Sequence, residues 1–342
     1  MNSKEIFKNV LDLRFTERLP VAVESGGAWA LNTSGLTLQK AIEAEPEAIA
    51  DILYRAYTDA GSDLVWSMAG YNNLIVGALG GKITFRAKGT PEILEPLLKK
   101  PSDVDTLNTD AILDDPMIKK MLEVTAALAK KTAEKHYLAL TRWGPFTLAG
   151  LLYGVENCMR DIRKDPEGVR HILDWAGDLF LAYVDGYIRA GVEIVQLAEP
   201  TASGDMISLK HFKEFALPAF QKVCTALHKK KVKIAIHICG NINNRLDLIA
   251  DMGADYASID YKVDLKNARA AFDGKIAFMG NMDPVSIMQQ GSVDEVRAAC
   301  RDCIDRAGGG AGFILAPGCD LPPTTPLENV RAMTELARGY RF

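Results

Sequence analysis

The sequence has no excess of basic residues and no long apolar run. Its 40 Lys and Arg residues stand against 44 Asp and Glu residues, which gives a formal net charge of −4. Proteins that bind nucleic acid usually carry a basic surface, so the composition argues against a nucleic-acid partner. No run of about 18 apolar residues occurs, and we therefore expect no membrane-spanning helix.

Cysteine is scarce, with 6 residues among 342. The start of the chain, MNSKEIFKNVLDLRF, contains no apolar signal core and no small-residue cleavage site. We therefore expect a cytoplasmic protein whose cysteines stay reduced. A chain of this length buries a large core without disulfides or a structural metal, so a metal site here is expected to be catalytic.

Short apolar runs alternate with helical segments along the chain. The runs predict strands over 19–25, 63–68, 137–142, 193–199, 233–239, 256–260, 276–280 and 313–318. Helical spacing is clearest over 46–61, 166–191, 210–230, 244–253 and 293–308. Eight strands that alternate with helices predict an α/β protein, a (β/α)₈ barrel of the TIM type, as one domain over 1–342.

One segment, about 70–135, is too long for a single connection between two barrel strands. It predicts an elaboration between the second and third strands. The segment GGKITFRAKG favours a small hairpin, and helices are expected over 91–135.

Reactive side chains occur where the predicted strands end. In a barrel of this type the loops after the strand carboxyl ends form the active site. The residues at these ends are Glu199 after the fourth strand, His237 and Cys239 after the fifth, Asp260 after the sixth, Asn281 and Asp283 after the seventh, and Cys319 after the eighth. We expect them to crowd one rim of the barrel.

Three of these residues form a plausible set of metal ligands. His237 and Cys239 are two positions apart on a strand and therefore point the same way. Cys319 lies close to them if the fifth and eighth strands belong to one closed barrel. One His and two Cys are the ligands of a catalytic zinc site with an open position, and thiolates favour zinc over magnesium or calcium. Asp260 is a candidate fourth ligand. The alternative is that both cysteines are small buried apolar residues.

Five segments together resemble the uroporphyrinogen decarboxylase superfamily. They are VQLAEPTASGDMISLKHFKEFALPAFQKV, IHICGN, MGADYASID, GNMDP and APGCDLPPTTPLENVRAM. Within the superfamily, the H-x-C pattern with a distant PGC is similar to the methylcobalamin:coenzyme M methyltransferases. The decarboxylases are a poorer match, because they carry an arginine-bearing segment where this chain reads AVESGGAWAL.

The resemblance implies an activity and roles for the rim residues. It implies zinc-dependent transfer of a methyl group from a methyl-Co(III) corrinoid, methylcobalamin, to a small thiol such as coenzyme M. The zinc ligands would be His237, Cys239 and Cys319. Asp260 stands where the cobalamin-independent methionine synthases, which are similar in their zinc chemistry, have a fourth ligand. Glu199 would accept the thiol proton or orient the substrate; the alternative is a carboxylate that braces a loop.

The corrinoid implies a partner protein. No D-x-H-x-x-G cobalamin pattern is present, so we expect a small corrinoid carrier protein to present the corrinoid at the rim. Asn281 and Asp283 are candidates for contact with the corrinoid, and the alternative role of Asp283 is to cap the following helix. A homo-oligomer is left open. The rival functions are a corrinoid-linked demethylase that takes methyl from a small donor, a non-catalytic corrinoid-binding or tetrapyrrole-binding protein, and a decarboxylase.

Overall fold

The computed structural model describes residues 1–86, 89–110, 112–308 and 310–341. Within these residues, a sheet of seven parallel strands lies at the centre, in the order β1-β4-β5-β6-β7-β8-β9. Its strands are β1 Leu64–Ser67, β4 Tyr137–Trp143, β5 Ile194–Ala198, β6 Lys233–Ile238, β7 Tyr256–Ile259, β8 Ala277–Met282 and β9 Phe313–Pro317. The seven predicted strands from 63 to 318 are confirmed, with ends that differ by at most two residues.

Helices connect the strands and cover the outside of the sheet. They are α1 Ser3–Leu11, α2 Gly27–Asn32, α3 Leu38–Ala41, α4 Pro46–Asp59, α5 Leu74–Ala78, α6 Pro116–Thr132, α7 Pro145–Tyr153, α8 Val155–Lys164, α9 Pro166–Arg189, α10 Leu209–His211, α11 Leu217–Lys229, α12 Leu246–Ala250, α13 Leu265–Phe272, α14 Val293–Ala307 and α15 Leu327–Gly339. Short 3₁₀-helices occupy Pro101–Thr106, Ile112–Asp114 and Pro200–Ala202, and π-helical turns occupy Phe212–Ala216 and Pro284–Gln289. The alternation of parallel strands and helices confirms an α/β fold.

The prediction of a strand over 19–25 is wrong, because this segment forms only an isolated bridge. Val21 forms one parallel bridge with Leu315 of β9, and its carbonyl accepts a hydrogen bond from the Asp63 amide beside β1. On the β1 side, hydrogen bonds to side chains supplement this single backbone contact. The amide of Val21 donates to the Asp63 carboxylate at 3.0 Å, and the amide of Val23 donates to the Ser62 hydroxyl at 3.1 Å. This segment touches both edge strands, and a regular eight-stranded closed barrel stays a prediction.

The segment between β1 and β4 contains a second, small sheet. Strands β2 Ile83–Thr84 and β3 Glu92–Ile93 pair antiparallel, but β3 lies beyond GGKITFRAKG, within the stretch 91–135 that is predicted to be helical. Residues 87 and 88 of this hairpin lie outside the described residues. The expected helices over 91–135 are two 3₁₀ turns followed by α6, which packs on α4 beside the main sheet.

An aromatic cluster covers the amino end of the main sheet. Phe7 of α1 is fully buried, with its ring centroid 6.0 Å from that of Tyr256 and 6.1 Å from that of Tyr137. Because the strands are parallel, their carboxyl ends all lie at the end of the sheet opposite this cluster. We call that end, with the loops that follow each strand, the carboxyl rim. Among the described residues, no helix has the length and apolar character needed to cross a lipid bilayer.

Candidate metal and thiol site

One imidazole and two thiols meet at the carboxyl rim. The ligand atoms of His237, Cys239 and Cys319 all lie within 4.8 Å of one another. The Nε2 atom of His237 is 3.0 Å from Sγ of Cys239. We call these residues the His-Cys-Cys cluster. The structure therefore brings together the three residues that the sequence singles out as metal ligands.

The local backbone explains where the two thiols point. Cys239 directly follows β6, and Gly240 after it has φ of +95°, a left-handed conformation that favours glycine. Cys319 follows Gly318, where an added Cβ would lie only 2.5 Å from the Tyr261 amide nitrogen. The chain can pass this close to the loop after β7 only because residue 318 has no side chain. The turn at Gly240 thus places Cys239 at the carboxyl rim, and the turn at Gly318 places Cys319 there.

The spacing and chemistry of the cluster fit a metal ion. The sulfur atoms of Cys239 and Cys319 are 3.5 Å apart, well beyond the roughly 2.05 Å of a disulfide bond. Two thiolates bound to one tetrahedral zinc ion, at about 2.3 Å each, are roughly 3.7 Å apart. His237 is buried and both cysteines are partly accessible, so a substrate can reach the sulfur side of the cluster.

Surrounding groups orient and polarise His237. Its Nδ1 lies 3.0 Å from the Ser258 hydroxyl and 3.2 Å from the Ser258 carbonyl, which directs Nε2 toward the thiols. Burial lowers the pKa of the imidazole. The hydrogen bond and charge of Cys319, with the carboxylates of Glu24 and Asp260, outweigh burial and bring the pKa of His237 to about 9. These neighbouring groups therefore favour a positive charge on the His237 imidazole.

The cluster lies in a cavity that opens at the rim. The cavity has a volume of about 110 Å³, and we call it the rim cavity. Around the cluster, its walls include Glu24, Thr141, Trp143, Gln196 and Asp320. Within the described residues, the lining contains two carboxylates and no Arg or Lys side chain.

Glu24 and Gln196 form a buried pair in this wall, and each is only 1% exposed. The Gln196 amide donates to one Glu24 oxygen at 2.7 Å. The other Glu24 oxygen, Oε2, and the Gln196 carbonyl, Oε1, have no hydrogen-bond partner among the described residues. Burial raises the pKa of Glu24. Neither these two residues nor Ser258 was predicted from the sequence; the available signal for Glu24 was an acidic residue inside the apolar run LPVAVES.

Glu199 is buried and faces the start of α7. Its two oxygens accept hydrogen bonds from the amides of Phe146 at 3.0 Å and Thr147 at 2.7 Å. Burial raises the pKa of Glu199 to about 8, against the lowering effect of the Thr147 hydroxyl and of these two amides. The structure thus gives Glu199 a bracing contact between β5 and α7. Its predicted part in substrate chemistry stays a prediction.

Asp260 lies outside the group of ligand atoms described above. Its carboxylate accepts a hydrogen bond from the Lys262 amide at 2.9 Å, and its carbonyl accepts one from the Asn281 amide group at 3.0 Å. Its charge acts on His237 from nearby. A role as fourth metal ligand stays a prediction.

The two residues predicted to contact a corrinoid have structural partners. Asn281 is 7% exposed, and its amide group donates to the carbonyls of Asp260 and Val263. Asp283 accepts from the amides of Val285 and Ser286 and caps the turn Pro284–Gln289. The capping role considered for Asp283 is therefore present, and corrinoid contact by either residue stays a prediction.

Comparison with known proteins places the chain in a family. A parallel α/β sheet with reactive groups on its carboxyl rim is the arrangement of barrel-type enzymes. The family model for uroporphyrinogen decarboxylase (URO-D) matches residues 3–340, and the chain belongs to this family. The resemblance found in the sequence is thereby confirmed.

Within the family, the chain is similar to methyltransferases. It is 29% identical to the methylcobamide:CoM methyltransferase MtbA of Methanosarcina mazei over 255 residues. This matched region covers 75% of this chain and 73% of that protein. It is 27% identical over 298 residues to the methylcobamide:CoM methyltransferase MtaA of Methanosarcina barkeri, which covers 86% and 85%. A solved methyltransferase structure from Methanosarcina mazei shares the fold, with a TM-score of 0.88, 24% identity and 98% coverage of both chains.

Proposed function

We propose that this protein is a zinc-dependent methyltransferase. It moves a methyl group from a methyl-Co(III) corrinoid to a small thiol, with His237, Cys239 and Cys319 as the zinc ligands. The observation that carries the proposal is the His-Cys-Cys cluster, which opens into the rim cavity. The similarity to methylcobamide:CoM methyltransferases supports the choice of methyl donor.

The donor set suits a thiol substrate. A free thiol with a pKa near 8.5 is mostly protonated at neutral pH, whereas zinc bound at the cluster would hold the substrate sulfur as a thiolate. The thiolate sulfur bonds to the methyl carbon, the cobalt–carbon bond breaks, and both electrons of that bond stay on cobalt, which becomes Co(I). The thiol proton is released. A decarboxylation would make no use of two converging thiols.

This chain's own residues prepare the site for that transfer. Ser258 fixes the ring of His237 so that Nε2 faces the sulfur atoms. Trp143 and Thr141 wall the rim cavity, where they would limit water around the reacting sulfur. The carboxylate of Glu24 sits beside the cluster and adds negative charge to the surroundings of a bound cation.

We propose that a separate carrier protein brings the corrinoid to the rim. A corrinoid is far larger than a cavity of about 110 Å³, so the methyl group must be presented from outside. Exposed apolar side chains follow three of the strands: Met206 after β5, Tyr261 after β7 and Val285 after β8, each between 45% and 47% exposed. Such side chains suit contact with a large partner.

Free methylcobalamin and a thiol test the proposal. The wild-type protein should contain about one zinc ion per chain and should demethylate methylcobalamin when 2-mercaptoethanol or coenzyme M is present. Cys239→Ala should lower both the zinc content and the transfer rate by at least about 100-fold, because it removes a ligand. Cys158→Ala, which removes a buried thiol of α8 away from the site, serves as the matched control.

Two results would overturn the proposal. Full transfer by protein that contains no zinc would remove the metal from the mechanism. Methylation of Co(I) corrinoid by a small methyl donor, without any thiol methylation, would assign the protein to the demethylases instead.

A further inference from the structure

The rim cavity contains more hydrogen-bond acceptors than its own residues satisfy. Glu24 Oε2 and Gln196 Oε1 are buried and have no partner among the described residues. An ionised Glu24 carboxylate can only accept hydrogen bonds, so the NH₂ group of Gln196 faces the carboxylate oxygen that it reaches at 2.7 Å. The carbonyl oxygen of Gln196 is therefore left as an acceptor.

Unpaired buried acceptors require donors. A buried polar atom without a partner costs about 1–3 kcal/mol, and a buried charge costs more unless an opposite charge pairs with it. Both residues line the same cavity as the His-Cys-Cys cluster. A ligand that places N–H donors against Glu24 and Gln196 would satisfy both atoms at once. A protonated amine offers up to three such donors and carries a charge opposite to that of the Glu24 carboxylate.

The remaining charges of the cavity agree with this requirement. Asp320 is a second carboxylate in the lining, and no Arg or Lys belongs to the described part of the lining. An anionic group such as a sulfonate would meet like charge here, whereas an ammonium group would meet opposite charge.

The size of the cavity limits the ligand. A protein cavity of about 150 Å³ holds benzene, with six heavy atoms. The rim cavity, at about 110 Å³, therefore suits a ligand of a few heavy atoms. We infer that the methyl acceptor is a small aminothiol, whose sulfur binds at the His-Cys-Cys cluster while its ammonium group is bound by Glu24 and Gln196. This inference rests on the proposed function and names its substrate class.

Three thiols of the form HS–CH₂–CH₂–X separate the possibilities. Cysteamine carries an ammonium group as X, 2-mercaptoethanol carries a hydroxyl group, and coenzyme M carries a sulfonate. Each is supplied with methylcobalamin, and kcat/KM is measured from the loss of methylcobalamin absorbance. The wild type should prefer cysteamine over coenzyme M by at least about 10-fold, with 2-mercaptoethanol between them.

The variant Glu24→Gln removes the negative charge and keeps the shape. Because the three thiols differ in intrinsic acidity, the decisive quantity is the ratio of kcat/KM for cysteamine to that for 2-mercaptoethanol within one enzyme. This ratio should fall about 10-fold or more in Glu24→Gln. It should stay at the wild-type value in Glu328→Gln, an exposed position on α15.

The results of these assays test the aminothiol inference and the proposed methyltransferase function separately. If the wild type methylates the thiols but prefers coenzyme M, or if Glu24→Gln leaves the ratio unchanged, the aminothiol inference is overturned and the methyltransferase stands. If the wild type methylates none of the three thiols, both are overturned. Loss of bound zinc in Glu24→Gln would overturn the inference too, because Glu24 would then hold the ion rather than the amine.

Discussion

The sulfur atoms of Cys239 and Cys319 lie 3.5 Å apart, although their strands are not neighbours in the sheet. Cys239 follows β6 and Cys319 follows β9, and β7 and β8 lie between them. In a flat sheet with strands about 4.8 Å apart, the two ends would be separated by roughly 14 Å. The sulfur–sulfur distance therefore requires the sheet to curl around the rim cavity. The fold itself assembles the cluster from distant parts of the chain.

Ser258 should act on metal binding through His237. Removal of a group that orients a histidine ligand typically lowers metal affinity 10-fold to 100-fold. In Ser258→Ala the Ser258 carbonyl remains near Nδ1, at 3.2 Å, so we expect a loss of about 10-fold. Competition with a chelator measures the zinc affinity. Ser34→Ala, at an exposed position, is the control, and equal affinities in both variants would show that Ser258 does not orient the ring.

Gly318 should be intolerant of even one methyl group. An added Cβ meets the Tyr261 amide nitrogen at 2.5 Å and the Asp260 carbonyl carbon at 3.1 Å, both of them backbone atoms. Gly318→Ala should therefore lower the unfolding free energy by about 1–3 kcal/mol and reduce zinc binding, since Cys319 is the next residue. Chemical denaturation and metal analysis measure these effects.

The matched glycine control lies at the end of α15. Gly339→Ala adds a methyl group with no heavy atom within 4 Å. It should leave the zinc content unchanged and should not lower the unfolding free energy, since alanine is the better helix former. A Gly318→Ala protein as stable and as rich in zinc as Gly339→Ala would contradict the close approach of the two loops.

The carboxyl group of Glu199 should make stability depend on pH. Burial raises its pKa in the folded protein to about 8 from the usual value of 4.5, so between these values the folded state binds more protons than the unfolded state. Its contribution to stability is therefore present at low pH and falls as the pH rises toward 8. The unfolding free energy of the wild type, minus that of Glu199→Gln, should fall by roughly 2–4 kcal/mol from pH 5 to pH 8.

Urea denaturation at pH 5, 6.5 and 8 measures this difference. Other titrating groups are common to both proteins and cancel in the comparison. Glu328→Gln, at an exposed position, should show no such trend. A difference that stays constant, or that grows with pH, would mean that Glu199 is ionised throughout and that its donors, the Thr147 hydroxyl and the amides of Phe146 and Thr147, outweigh burial.

Much of the fold and the core of the site follow from the sequence. The strand runs such as KIAIHIC are rich in β-branched residues, and their ends appear where the pattern predicts. His237 and Cys239 are two residues apart at a strand end, so their convergence follows from strand geometry alone. Cys319 joins them because the parallel strands share one carboxyl rim and the sheet curls around it, as the predicted barrel requires.

Other parts of the site depend on contacts between distant residues. The direction of Glu199 depends on how the backbone turns after β5, which brings its carboxylate to the amides of α7. Glu24 lies in a segment that appeared to be a regular strand, and only the three-dimensional arrangement places it beside Gln196. Ser258 lies within β7 and carries no local signal, since its role comes from the register that pairs it with His237.

Zinc absorption-edge spectroscopy of the purified protein tests whether His237, Cys239 and Cys319 bind one zinc ion as the site of thiol activation. The fine structure should show one nitrogen scatterer at about 2.0 Å and two sulfur scatterers at about 2.3 Å, with a third sulfur when a thiol substrate is added. A protein that binds no zinc, or a zinc ion with no sulfur in its coordination shell, would contradict the account.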